Sequence, residues 1–325
     1  HAELGRQREL KVDIVGDAME RIGHFGDVAI SLAGGVSGFG YRTSLRCAVI
    51  DGRAGFRRSR GDDVIATPEC LIAHPRAADI MLNGSFGVAD EVVIRVGART
   101  GERLVVPTPD TAGVEVDGVE VVGADEVRAG RPAHVHEEAA GRRWRVSADS
   151  FFQSSPEAAD LLVASVEGLL GDSSRAGVLC DLYSGVGLFA GSLRHDGPII
   201  AVEGSASAVA DAAVNLEDRE VVIVHSRVER WQAEPADVVV ADPSRRGLGQ
   251  GGVDVVVGTE AATVILVSCD PAANARDARL LVDRGYELGE VRVLDLFPQT
   301  SHEETVTRFD RHTDQRSPGE FRIDS

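Results

Sequence analysis

The sequence predicts an α/β protein: a doubly wound sheet in the C-terminal half, preceded by a smaller α+β unit rich in antiparallel hairpins. Two patterns and a size carry that expectation. From residue 146 onward, short apolar runs alternate with helical patterns, the signature of strands joined by crossover helices. Between 40 and 145 the apolar residues alternate with period two and are broken by Asp-Gly and Thr-Gly turns. A chain of 325 residues, 43% hydrophobic and 26% charged, is long enough for two or three domains. The expected organisation is an N-terminal helix and linker (1–39), a central α+β domain (40–145) and the doubly wound domain (146–325).

In chain order, residues 7–22 carry apolar side chains at Leu10, Ile14, Ala18 and Ile22, which predicts an amphipathic helix ended by Gly23. The glycine-rich stretch 33–40 reads as a loop. A hairpin follows around Asp51-Gly52, a second spans 91–107 around Thr100-Gly101, and two more are expected at 114–122 and 134–146. Arg42, Arg46, Arg53, Arg57, Arg58 and Arg60 concentrate on the first hairpin, which suits either phosphate contact or a solvated surface paired with carboxylates. A helix over 156–170 opens the C-terminal half. Strands are expected at 177–182, 199–203, 221–225, 237–241, 263–268 and 291–297.

Charge and composition narrow the function classes. A net charge of −18 argues against non-specific binding to a phosphate backbone, although it permits a local basic patch. Lys11 is the sole lysine; the arginine bias suits phosphate recognition and equally suits a GC-rich genome. No apolar run approaches the ~20 residues of a membrane helix, and the N-terminal residues do not read as a signal peptide. Cys47, Cys70, Cys180 and Cys269 are too scattered for a disulfide framework or a zinc site, so the cytoplasm is the expected compartment.

The chemistry-bearing residues fall at strand ends, where open α/β sheets bind ligands. The run Thr263-Val264-Ile265-Leu266-Val267-Ser268-Cys269-Asp270-Pro271 reads as a buried strand that releases Cys269 at its carboxyl end. A thiol there is either a nucleophile, if a neighbour activates it, or a small buried hydrophobe. Asp181-Leu182-Tyr183-Ser184-Gly185-Val186-Gly187 follows the first strand of the series, and Glu203 closes the next. Two glycines permit a tight turn and close ligand approach, and an acid about 20 residues on can bind ribose hydroxyls. The third glycine of the dinucleotide fingerprint is missing, which favours a different nucleoside-bearing cofactor. Asp242-Pro243-Ser244-Arg245-Arg246-Gly247 ends the fourth strand, next to the Cys269 strand in this topology. Glu303 and Glu304, following another strand, read in isolation as a solvated acidic turn.

Taken together, Phe151-Phe152-Gln153, the Asp181–Gly187 motif, Asp242–Gly247, Ser268-Cys269-Asp270-Pro271 and Phe297-Pro298-Gln299-Thr300-Ser301-His302-Glu303-Glu304-Thr305-Val306 occur in an order that resembles the RNA uracil-5 methyltransferases of tRNA and rRNA. The resemblance covers 145–310 closely and the preceding half more faintly. It implies a class I methyltransferase, Rossmann-like domain, S-adenosylmethionine as methyl donor and a structured RNA substrate, with no DNA or membrane partner. By motif it implies Cys269 as nucleophile and Glu304 as base. Gln153, Asp181, Tyr183, Gly185, Gly187, Glu203 and Asp242 would line the cofactor site, while Arg57, Arg58, Arg60 and Arg245 are candidate RNA contacts. Many members carry an iron–sulfur cluster; of its cysteines only Cys70 has a counterpart here, so the cysteines present do not support one. The family's Ser-Cys-Asn-Pro is Ser-Cys-Asp-Pro, and an ionised Asp270 beside the thiol is expected to raise its pKa. Two other readings stay open: a class I methyltransferase acting on a nitrogen, which needs Asp242 but not Cys269, and a non-catalytic RNA-binding paralogue.

Overall fold

A computed structural model describes residues 2–58, 61, 63–171 and 176–312. The chain begins with helix α1 (Leu4–Arg21) and strand β1 (Ile30–Gly35). The middle of the chain contains β2 (Ser44–Ile50), β3 (Arg53–Arg57), β4 (Val64–Ala66), α2 (Pro75–Asn83), β5 (Ser85–Phe86), β6 (Glu91–Val96), β7 (Arg103–Thr108), β8 (Val114–Glu115), β9 (Glu120–Val121), α3 (Ala124–Arg128), β10 (His134–Ala139) and β11 (Arg142–Ser147). The C-terminal half alternates α4 (Pro156–Leu170), β12 (Leu179–Leu182), α5 (Leu188–Ser192), β13 (Ile199–Glu203), α6 (Ala206–Asn215), β14 (Val221–His225), β15 (Val238–Ala241), α7 (Gly249–Gly258), β16 (Thr263–Ser268), α8 (Pro271–Asp283), β17 (Tyr286–Asp295) and β18 (Glu304–Arg311).

The large sheet has eight strands in the order β1-β17-β18-β16-β15-β12-β13-β14. Strands β12 to β16 pair in parallel; β15 and β16 are runs of β-branched and aliphatic residues, as burial on both faces requires, while β12 is Leu-Cys-Asp-Leu and β14 is the partly exposed edge. Strand β18 is antiparallel to both β16 and β17, and so joins them. Helix α4 starts on a Ser155 cap, whose hydroxyl accepts from the Ala158 N–H, and carries Pro156 in its first turn.

Three expectations are corrected. The 33–40 stretch is not all loop: β1 pairs in parallel with β17 and makes residues 30–35 the edge of the large sheet. Residues 114–122 do not form a hairpin. β8 pairs with β5, whereas β9 pairs in parallel with β7. Val114, Val116, Val119 and Val121 all pack against one core and only Val122 is buried in another, so the two arms around Asp117-Gly118 share a core while pairing with different strands. Finally, α1 does not bury its Leu10, Ile14 and Ile22 stripe, which faces outward. The buried residues are Lys11, Val15, Ala18 and Met19, one step around the helix. A lysine can lead a buried stripe only if its ammonium finds partners, and here it does.

The remaining expected strands and the helix at 156–170 are present, with β17 starting earlier than expected, at Tyr286. The smaller sheet, β4-β3-β2-β6-β7-β9, packs around Leu45, Ile80, Phe86 and Ile94. Hairpin β10–β11 leans the other way: Trp144 and Val146 share a core with Leu162, Phe189 and Leu216 of the large sheet's layers.

Candidate active site

The site is assembled where β12, β13, β15 and β16 end and β18 begins. Strands β15 and β16 are paired neighbours, so Asp242 and Cys269, each just past its strand, stand side by side at one sheet edge. From the other flank, β18 runs antiparallel to β16 with Ser268 opposite Thr305. One step further along that ladder, Cys269 comes opposite Glu304. The Thr305 hydroxyl ties the two strands by donating to the Ser268 carbonyl at 3.0 Å.

Electrostatics report the same neighbourhood. Burial pushes the Cys269 thiol up to about 11, with the charges of Glu304 and then Asp242 adding to it and Arg245 opposing. Burial, then Asp242 and Glu303, holds Glu304 well above the usual carboxylate range, and burial brings Asp242 to about 7. Asp270 has a different job from the one expected. Its carboxylate caps α8, accepting from the Ala273 N–H at 2.8 Å, and the anions acting on the thiol are Glu304 and Asp242. Glu303 and Glu304 do not form a solvated turn; both are buried, because β18 is an interior strand.

The glycine motif forms a cradle beside this cluster. Tyr183 (φ 60°), Gly185 (φ 55°) and Gly187 (φ 92°) lie in the left-handed region, which lets the backbone turn sharply after β12. Glu203 clips the turn: it accepts from the Gly185 N–H at 2.9 Å and the Ser205 N–H at 2.6 Å. A Cβ built on Gly185 would meet nothing, whereas one on Gly187 would strike Leu216 at 2.8 Å. Asp181 is wholly buried beneath the turn. It accepts from the Ala190 N–H at 2.9 Å, and burial raises it to about 8. The Tyr183 hydroxyl donates to Glu229 at 2.9 Å.

Several polar atoms here are buried without a hydrogen-bond partner: Gln153 Oε1, Ser184 Oγ and Asp181 Oδ1. Native interiors rarely tolerate such groups, so Asp181 and Ser184, which flank the open glycine turn, fit residues awaiting a polar ligand.

No family model matches the chain. It is 35% identical to an uncharacterized RNA methyltransferase of Streptomyces avermitilis over 342 residues, covering 94% of this chain and 78% of that protein. It is 35% identical to another from Streptomyces coelicolor (94% and 74% covered) and 30% identical to one from Corynebacterium efficiens (96% and 76% covered). The chain belongs to this RNA methyltransferase family. Among solved structures, the tRNA (uracil-54, C5)-methyltransferase of Pyrococcus abyssi, in complex with S-adenosyl-L-homocysteine, superimposes with a TM-score of 0.71 at 21% identity, over 93% of this chain and 83% of that one. The fold is therefore that of a Rossmann-like class I methyltransferase.

Within this RNA methyltransferase, Arg245 is exposed and close enough to act on the thiol, but the hairpin arginines lie on the other sheet. Arg57 and Arg58 are exposed at the end of β3, Arg46 pairs with Glu91 at 2.5 Å, and Arg60 lies outside the described residues. Among the described residues, no three His, Cys, Asp or Glu side chains gather as metal ligands, and Cys70 is partly buried. Among the described residues no helix is long and apolar enough to cross a membrane. Sequence reasoning missed the support behind Glu304, namely Lys11 and Asp295. The available signal was that one lysine persists in a chain otherwise supplied with arginine.

Proposed function

We propose that this RNA methyltransferase transfers a methyl group from S-adenosylmethionine to carbon 5 of a uridine in tRNA or rRNA, with Cys269 as nucleophile and Glu304 as base. The observation that carries the reading is the β16–β18 ladder, which brings a half-buried thiol and a buried carboxyl to the same strand end. Gln153, Asp181, Ser184, Gly185, Glu203 and Asp242 would hold the cofactor, and the unpartnered buried atoms of Gln153, Asp181 and Ser184 and the open space at Gly185 suit that use. The structural neighbour from Pyrococcus abyssi, a tRNA uracil-C5 enzyme, supports the choice of base.

Carbon 5 of uracil is a weak nucleophile, which explains why a thiol is needed. Addition of the Cys269 sulfur to carbon 6 moves the ring electron pair toward carbon 5. When bound, S-adenosylmethionine supplies an electrophilic methyl group on a cationic sulfur, whose charge favours the ionised forms of Cys269 and Glu304. Glu304 then removes the proton from carbon 5. The returning electron pair re-forms the 5,6 double bond and expels the Cys269 thiolate. A carboxylate with a raised pKa is the stronger base for that proton. The target base must present both face and edge, so it is flipped out of its stack.

The test uses labelled S-adenosylmethionine and RNA lacking 5-methyluridine. Cys269→Ala should form neither a covalent complex nor 5-methyluridine. Glu304→Gln should slow turnover about 10²- to 10⁴-fold while trapping a protein–RNA adduct on denaturing gels. Methylation retained by Cys269→Ala would overturn the thiol mechanism and favour an acceptor nitrogen.

A further inference from the structure

The segment 296–303 delivers Glu304 to the thiol, and helix α1 holds that segment from behind. Lys11, the sole lysine of the chain, is 2% exposed. Its Nζ donates to Asp295 Oδ1 at 2.5 Å, to the Phe297 carbonyl at 3.0 Å and to the His302 carbonyl at 2.6 Å. Those acceptors are the last residue of β17, the start of the loop, and the residue two before Glu304. Three donors of one ammonium meet three acceptors, and none is left over.

Neighbours on the same helix extend the grip. Arg8 Nε lies 3.3 Å from the second oxygen of Asp295, and Gln7 and Gln299 exchange two hydrogen bonds of 3.0 Å. The charge of Lys11 also acts on Glu303, which points to the opposite side of β18 from Glu304. The pocket is shaped for an ammonium. A guanidinium is planar and larger, and its fork cannot direct three N–H groups to acceptors gathered around one nitrogen.

We propose that Lys11 is a positioning residue of the active site. By joining Asp295, Phe297 and His302, its ammonium fixes the 296–303 segment and so sets where the Glu304 carboxyl stands against the substrate. This rests on the reading of Glu304 as the base. A displacement of about 1 Å in a reacting group can cost 10²-fold in rate, so loss of the clamp should appear in the proton-removal step before it appears in binding.

The experiment compares Lys11→Met, Lys11→Arg and Gln7→Ala with Glu304→Gln in the full chain, measuring kcat, KM for RNA, affinity for S-adenosylhomocysteine and the fraction trapped as protein–RNA adduct. Lys11→Met should lower kcat about 10²-fold and accumulate adduct as Glu304→Gln does, with both affinities near wild type. Lys11→Arg should not restore turnover. Gln7→Ala, a half-buried substitution that keeps the fold should Lys11→Met fail to fold, should lower kcat several-fold in the same direction. Wild-type kcat without trapped adduct in Lys11→Met, or in Gln7→Ala where Lys11→Met is unstable, would overturn the proposal. So would a loss confined to KM or to cofactor affinity, or full rescue by arginine. Absence of adduct in Glu304→Gln would count instead against the thiol reading, and the kcat of Lys11→Met would still decide the role of the ammonium.

Discussion

At the residue scale, Glu303 and Glu304 are adjacent in the chain and opposite in task, because successive side chains of a strand point to opposite faces. Glu304 faces the thiol. Glu303 faces Lys11, Asp270 and Asp295, is 1% exposed, and has neither oxygen hydrogen-bonded. Burial raises it from 4.5 to about 7. The folded state therefore binds its proton more tightly than the open chain. Its contribution to stability is most favourable below pH 4.5, declines as pH rises through 4.5 to 7, and the full cost is present above about pH 7. That cost is at most roughly 3 kcal/mol. Glu303→Gln should therefore raise the melting temperature at pH 8, and clearly less at pH 5; equal shifts at both pH values would refute a buried, titrating carboxyl. The strand end at Cys269 was legible as the close of an apolar run, whereas Glu304 read in isolation as part of a solvated turn and was singled out only by the family motif, because it opens β18 instead of closing an apolar run. The clamp was not legible, since burial of Lys11 depends on Asp295, which lies 284 positions away.

At the element scale, the parallel strands were readable with bounds within two residues, because a strand buried on both faces is a continuous apolar run. Strand β18 was less so: Thr305, Thr307 and Arg308 interrupt its apolar residues, and it is acceptable inside a sheet only because Thr307 reaches Asn274 and Arg308 pairs with Asp310. The glycine turn between β12 and α5 offers a clean contrast. Gly185 and Gly187 both have positive φ, so alanine costs roughly 1–2 kcal/mol of backbone strain at either. Only at Gly187 does the new methyl group also meet a packed side chain, Leu216. Gly185→Ala should thus fold with a modest loss of stability but weaken S-adenosylhomocysteine binding, since its methyl group projects into the open cradle. Gly187→Ala should lose more stability, by a further 1–3 kcal/mol of overpacking. Calorimetric titration beside urea unfolding separates the two effects, and unchanged affinity in Gly185→Ala would remove that turn from the cofactor site.

At the scale of the whole molecule, the two sheets are joined through a buried polar seam that also carries the Phe151-Phe152-Gln153 segment. Asp211 of α6, fully buried, accepts from the Ser147 N–H and hydroxyl at 2.8 Å each and from the Ser150 hydroxyl at 2.6 Å, and pairs with Arg145 at 2.9 Å. From the smaller sheet, Arg95 on β6 donates to the Ser150 carbonyl at 2.7 Å; burial lowers its pKa to about 10, against the opposing charges of Asp211 and Asp149. Gln153 follows three residues later, its Oε1 buried and unpartnered. The seam therefore fixes the chain three residues before Gln153, a proposed cofactor residue, as well as joining the two layers. Removing one partner of a buried charged network leaves the others uncompensated, a loss of about 3–5 kcal/mol. Asp211→Ala should lower the unfolding free energy measured in urea by that amount and, below the unfolding transition, weaken S-adenosylhomocysteine binding through Gln153; Asn215, one helical turn on, keeps its own bond to the Val186 carbonyl of the glycine turn. Asp211→Asn keeps the acceptor oxygen and should retain most of the affinity while losing the pairing with Arg145. If Asp211→Ala instead binds the nucleoside at wild-type strength, the seam serves stability alone and Gln153 is positioned by α4.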